Sequence, residues 1–166
     1  AETLRALLAD ERIDRIYASP LRRSLTTAGA VAHSRGLEAV VDADLIEFDY
    51  GDFSGSVRSE LRLKLRRDFL HIRVPGGESL ADVWARAGRF VERVRPLLAS
   101  THLLIVGHQR LNRLLVGWLS GRTLEEAAAA NDYRPATGSV LAITLDFTGP
   151  QMRVVEQRIL ASRLLE

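Results

Sequence analysis

The run Leu103-Leu104-Ile105-Val106 limits the fold more than any other feature of this sequence. Four apolar residues without alternation read as a strand covered on both faces, and such strands belong to parallel sheets flanked by helices. The run leads through Gly107-His108 into the periodicity of a helix over 109–119. The same order occurs near the start of the chain, where Ile13 to Ala18 reads as a short buried strand. A helix is predicted behind it, with Ser19 as its cap, Pro20 at its first position and Gly36 past its end. Leu21, Leu25, Ala28, Val31 and Ala32 make its apolar stripe. Two strand–turn–helix units predict a three-layer α/β/α sandwich with a mostly parallel sheet, and ligands in such sheets sit at the carboxyl ends of strands.

The remaining pattern fits that architecture. Residues 2–10 carry helical spacing, 37–41 a second strand, and 42–55 a polar stretch with two glycines that reads as an ordered loop. A basic helix is predicted over 57–71. Beyond Pro75-Gly76-Gly77, Ser79 and Asp82 form a capping-box start for a long helix with the stripe Leu80, Val83, Trp84, Ala87, Val91, Val94 and Leu98. An alanine-rich helix at 124–130 precedes two strands, 140–145 and 153–157, joined near Gly149-Pro150 as a hairpin at a sheet edge.

A chain of 166 residues has the length of one domain, and we expect a single domain over 1–166. No apolar run approaches the ~18 residues of a membrane span, so no membrane partner is predicted. Residues 1–5 do not read as a secretory signal, and the chain has no cysteine; both suit the cytoplasm. A formal charge of +2 is small for a nucleic-acid binder, and no nucleic-acid partner is expected.

Three residues have the placement for chemistry. Arg23 falls in the first turn of a helix that follows a strand, where backbone N–H groups and the helix dipole favour an anion and a guanidinium adds a two-point grip. The alternative is a solvated arginine. His108 ends a buried strand and would emerge into the same crevice, able to donate to a phosphate oxygen, or else is satisfied by a backbone carbonyl. Glu47 lies in a partly apolar loop, where burial would let it hold a proton for a leaving group. Local sequence alone does not separate Glu47 from Asp44, Asp49 and Asp52. No two histidines have metal-ligand spacing, so neither metal nor cofactor is expected.

The stretch Ser19-Pro20-Leu21-Arg22-Arg23-Ser24-Leu25-Thr26-Thr27-Ala28 resembles the S-P-L-x-R-A-x-x-T-A of the histidine phosphatase superfamily, the phosphoglycerate mutase-like enzymes. Leu45-Ile46-Glu47 with Gly51 and Gly55 is similar to that family's L-x-E-x-x-x-G-x-x-x-G loop. Pro75-Gly76-Gly77-Glu78-Ser79-Leu80 resembles its P-x-G-E-S-L, and Val106-Gly107-His108-Gln109 with Arg113 its second-histidine segment. The resemblance implies Arg23, His108 and Gln109 as phosphate-binding residues, Glu47 as proton donor, His108 in a catalytic role, and a small phosphorylated substrate. Arg58 and Arg62 of the basic helix are candidates for contacting the rest of that substrate, although a solvated basic face is the competing reading. A homodimer is compatible with this assignment.

Ser24 stands where alanine is usual and Ser54 where an acidic residue is frequent. The resemblance also implies an Arg-His-Gly at the end of a first strand, whose histidine takes the phosphoryl group, and no such triplet occurs in the sequence. That strand would be interior, between the one ending at Val106 and the one near Val140. Its absence would leave two rows of unpaired backbone groups. We therefore expect a strand from a preceding segment of about 15 residues or from a partner chain. The implied activity is phosphomonoester hydrolysis through a phosphohistidine. The alternatives are mutase-type phosphoryl transfer and a phosphate-binding protein that has lost its nucleophile.

Overall fold

A computed structural model describes residues 2–55, 70–130, 140–148 and 152–160. Helix α1 (Glu2–Leu7) leads to β1 (Arg15–Ala18), α2 (Arg22–Arg35) and β2 (Ala39–Val41). Two 3-10 turns, Ala43–Leu45 and Gly51–Phe53, order the loop that follows. Then come α3 (Leu80–Leu98), β3 (Leu103–Val106), α4 (Gln109–Leu119), α5 (Leu124–Ala129), β4 (Val140–Asp146) and β5 (Arg153–Leu160). The expected basic helix over 57–71 lies almost wholly outside the described residues, and so do its Arg58 and Arg62.

β1 is central to a parallel sheet of order β2-β1-β3, with Ile16 opposite both Ala39 and Leu104. Helices cover both faces. On one side Leu8, Ala28, Val31 and Ala32 of the α1–α2 region pack with Ile16 and Ala18. On the other, Val83, Ala87, Phe90, Val91 and Val94 of α3 pack with Leu111, Leu114 and Leu115 of α4 and with Tyr17. Phe90, Ile16 and Leu45 are wholly inaccessible, each worth roughly 1.5–3 kcal/mol in removed apolar surface. The three-layer sandwich expected from the sequence is therefore present.

β4 and β5 form the antiparallel pair that the hairpin reading required, with a bulge between Thr144 and Leu145, and the turn expected near Gly149-Pro150 lies outside the described residues. Among the described residues β3 pairs only with β1, and β4 only with β5. Yet Leu103, Ile105, Ile143, Leu145 and Val154 pack on the α3–α4 side, while Leu104, Val106, Val140 and Leu160 pack on the α1–α2 side. The two sheets thus divide the same two cores as one layer without being joined. β3, expected to be buried, is only partly buried along its length, and among the described residues it has a strand partner on one edge alone.

Two local expectations need correction. Ser19 does not cap α2: the cap position is Leu21, which makes no side-chain cap bond, and Pro20 stands before the helix. The Ser19 hydroxyl instead accepts from Leu21 N at 3.3 Å and meets His108, so it is committed to the turn rather than to the helix start. Leu25, expected on the apolar stripe, is among the exposed large hydrophobic residues. Gly36 does end α2, in the left-handed conformation (φ 65°) that glycine adopts without a Cβ penalty. The capping box of α3 is also present: Ser79 Oγ accepts from Asp82 N, and Asp82 accepts from Ser79 N.

Candidate active site

The carboxyl ends of β1 and β3 lie side by side, since Ala18 is opposite Val106 and Ser19 N donates to Val106 O at 3.0 Å. Each strand runs into a turn and a helix, so Arg23 from the first turn of α2 and His108 from the cap position of α4 meet across the crevice. Arg23 donates from Nε (3.2 Å) and approaches from Nη2 (3.1 Å) to His108 Nδ1. A guanidinium only donates, so Nδ1 must accept, and the neutral ring carries its proton on Nε2. Nε2 lies 2.8 Å from Ser19 Oγ and 3.3 Å from Ser24 Oγ, both buried. Burial of His108 is the main influence holding its pKa below the ordinary 6.5; Glu47 opposes, and Arg23 and Arg86 reinforce.

Glu47 comes to the same place from the loop after β2. Its carboxylate accepts from Phe48 N at 2.9 Å and lies 3.5 Å from Arg110 N and 3.4 Å from Leu111 N in the first turn of α4. Those are N–H groups without an intrahelical partner, and His108 offers α4 no side-chain cap. The loop is held by a frame that pairs Glu78 of the motif at 75–80 with Arg86, which the motif reading did not single out. Buried Arg86 of α3 donates to Asp44 O at 2.8 Å and to Ile46 O, the residue before Glu47. It also makes a two-point ion pair with Glu78, Nε to Oε1 at 3.0 Å and Nη2 to Oε2 at 3.1 Å. Glu78 in turn accepts from Asp49 N at 3.0 Å. Glu47 is therefore fastened on both sides.

Arg110 adds a cation at the same end of the crevice. Its guanidinium stands 5.2 Å from the centre of the Phe48 ring and 5.3 Å from that of Tyr50, and the two rings meet edge to face at 4.9 Å.

The structure thus brings Arg23, Glu47 and His108 together, with Gln109 exposed at the first position of α4. Arg58 and Arg62 lie outside the described residues. The other histidines stand elsewhere: His33 is exposed on α2, His71 is 3.3 Å from Glu125, and His102 is 3.3 Å from Asp14. Among the described residues no three His, Cys, Asp or Glu side chains gather as a metal site would require. Sequence reasoning missed Ser19 and Ser24 as partners of His108, and Arg86 as the anchor of Glu47. A polar residue where alanine is usual, and an arginine within the apolar spacing Val83, Ala87, Phe90, were the signals available.

A family model described as the histidine phosphatase superfamily (branch 1) matches residues 1–157. The chain is 35% identical over 115 residues to phosphoserine phosphatase 1 of Hydrogenobacter thermophilus, covering 65% of this chain and 54% of that protein. It is 33% identical over 126 residues to a 2,3-bisphosphoglycerate-dependent phosphoglycerate mutase of Methylobacterium sp., covering 69% and 61%. It therefore spans a little over half the length of these curated relatives. Among solved structures, the alpha-ribazole phosphatase of Shigella flexneri superposes with a TM-score of 0.76 at 27% identity, covering 98% of this chain and 80% of that one.

Proposed function

The chain belongs to the histidine phosphatase superfamily, and from that membership we propose that it is the larger part of a phosphomonoester hydrolase that works through a phosphohistidine on a small phosphorylated metabolite. The observation that carries the reading is the convergence of Arg23, His108 and Glu47 at the carboxyl ends of two parallel strands. A phosphoryl group over the first turn of α2 would take the Arg23 guanidinium in two-point contact, with His108 beside it. Glu47 stands at the start of α4 as the carboxyl group available to a leaving alcohol.

None of the histidines at positions 33, 71 and 102 is part of this cluster, so the nucleophile is not among them. We assign it to a strand seated between β3 and β4. Support comes from the two unjoined sheets that divide one pair of cores, each presenting an edge unpaired among the described residues. The strand comes from further residues of the same gene product or from a partner. Its imidazole nitrogen attacks phosphorus as the ester P–O bond breaks, and the released oxygen takes the proton of Glu47. Water then attacks phosphorus and gives a proton to the Glu47 carboxylate. The P–N bond breaks, freeing the histidine and inorganic phosphate.

The test is the intact mass of the natural gene product, with hydrolysis of an aryl phosphate in the presence of a chelator measured on the same sample. Additional residues that include an Arg-His-Gly, chelator-resistant turnover and an acid-labile phosphoenzyme are the expected results. A mass equal to that of residues 1–166 with no turnover would leave the second reading, a phosphate-binding protein. The observation favouring that reading is that His108 is the one histidine of the chain at the site.

A further inference from the structure

We propose that Arg110 is a specificity-determining residue, selecting phosphomonoesters whose alcohol half carries a second anionic group such as a carboxylate. The inference rests on the hydrolase reading above and deepens it. Arg110 is two residues past His108, and its backbone N–H faces Glu47 Oε2 at 3.5 Å. It therefore stands on the side of the crevice where the proton donor, and with it the departing alcohol, must be.

Its guanidinium is held over two rings, 5.2 Å from Phe48 and 5.3 Å from Tyr50. Phe48 is buried and itself belongs to the core, so the rings form a fixed corner rather than a loose surface pair. Neither ring offers a carboxylate or carbonyl acceptor, so the guanidinium N–H groups keep their capacity for hydrogen bonds to an anion. Among the described residues no carboxylate pairs with it. Glu47, the carboxylate beside it, is occupied by backbone N–H groups of its own loop and of α4. A half-buried cation already ordered by two rings, its side chain making no hydrogen bond among the described residues, sacrifices little side-chain freedom on binding an anion. A neutral alcohol half would leave those donors as they are and gain nothing from them.

The probes are 3-phosphoglycerate and glycerol 3-phosphate, which share their phosphate end and differ by a carboxylate in place of a hydroxymethyl group. Dissociation constants and turnover are measured for both on the natural gene product and on its Arg110→Met and Arg110→Lys variants. The expected results are a preference of about tenfold or more for the acid in the unaltered protein and its collapse towards unity in Arg110→Met. Affinity for glycerol 3-phosphate should stay within about threefold. Arg110→Lys should fall between, keeping the charge and losing the planar fork. An equal acid-to-neutral ratio in the unaltered protein and Arg110→Met would overturn the assignment alone. Failure of either ester to bind any form would overturn it together with the hydrolase reading. Binding that depends on Arg110 without turnover would uphold the assignment and remove the hydrolase reading.

Discussion

Arg86 and Glu78 form a two-point ion pair directly behind the loop that carries Glu47, with the arginine side chain 6% exposed and the carboxylate 23%. The pair joins α3 to both sides of Glu47, because Arg86 donates to the carbonyls of Asp44 and Ile46 and Glu78 accepts from Asp49 N. Removing only the arginine strands a largely desolvated carboxylate and two carbonyls. Arg86→Met is expected to cost about 3 kcal/mol in urea unfolding. Arg86→Met combined with Glu78→Gln should cost less than the sum of the two single changes by about 1 kcal/mol or more. Additive losses would show that the two groups act independently.

The two glycines of the loop differ in what they do. Gly51 has φ 48°, and a Cβ there would lie 2.1 Å from Pro75 O and 2.5 Å from Gly77 N, where the Glu47 loop docks on the turn before α3. Gly55 has φ 83°, and no described residue comes within 4 Å of the same position. Gly51→Ala should therefore destabilise by roughly 3 kcal/mol through both conformation and collision. Gly55→Ala should cost about 1 kcal/mol, from conformation alone. Comparable denaturant midpoints for the two variants would refute the docking argument.

Much of this was legible in the sequence, because strands, helices and the α3 cap depend on local pattern. The unbroken apolar run of β3 and the Ser79–Asp82 spacing each contain their own evidence. The position of His108, two residues past the end of β3, was legible for the same reason, whereas the choice of Arg23 over Arg22 and of Glu47 over its neighbouring aspartates came only from the motif resemblance. Arg86 was not legible: on a helical wheel it is one polar residue among Val83, Ala87 and Phe90, and only the arrival of a loop more than 30 residues earlier in the chain shows what it faces. Ser19 misled for a related reason. A serine before a proline at a helix start is a good cap by itself, but here its hydroxyl is taken by His108 from 89 residues away.

Acid should weaken α3 at its start. The Ser79 hydroxyl, then the Ser79 backbone N–H and Arg73, hold the Asp82 carboxyl down to about 2, against an ordinary 3.8. The folded value lies below the unfolded one, so the contribution is complete above pH 3.8 and is lost as the pH falls through about 2. It amounts to about 2 kcal/mol at most, since the carboxylate keeps some contact with solvent. Urea midpoints of the parent and of Asp82→Asn, measured at pH 5 and near pH 2.5, should converge at the lower pH. A gap that stays constant would mean the charge of Asp82 contributes nothing to the cap.

His108 should titrate in the opposite region of the pH scale from an ordinary surface histidine that gains an acidic partner. Burial, with help from Arg23 and Arg86 and against Glu47, places its folded pKa below the unfolded 6.5. Between those two values the unfolded chain holds a proton that the folded one does not. Stability from this residue is thus full above pH 6.5 and is lost as the pH falls through the folded value. The difference in denaturant midpoint between pH 7.5 and pH 5.5 should be smaller in His108→Gln than in the parent. Nitrogen NMR at pH 7.5 should find the ring neutral and protonated on Nε2, as the Arg23 contacts at Nδ1 and the Ser19 contact at Nε2 require. A proton on Nδ1 would contradict the geometry. On adding inorganic phosphate, Arg23 would turn its donors to the anion and release Nδ1, and the negative charge would favour the protonated ring. The His108 pKa should then rise, and an unchanged value in saturating phosphate would remove His108 from the anion site.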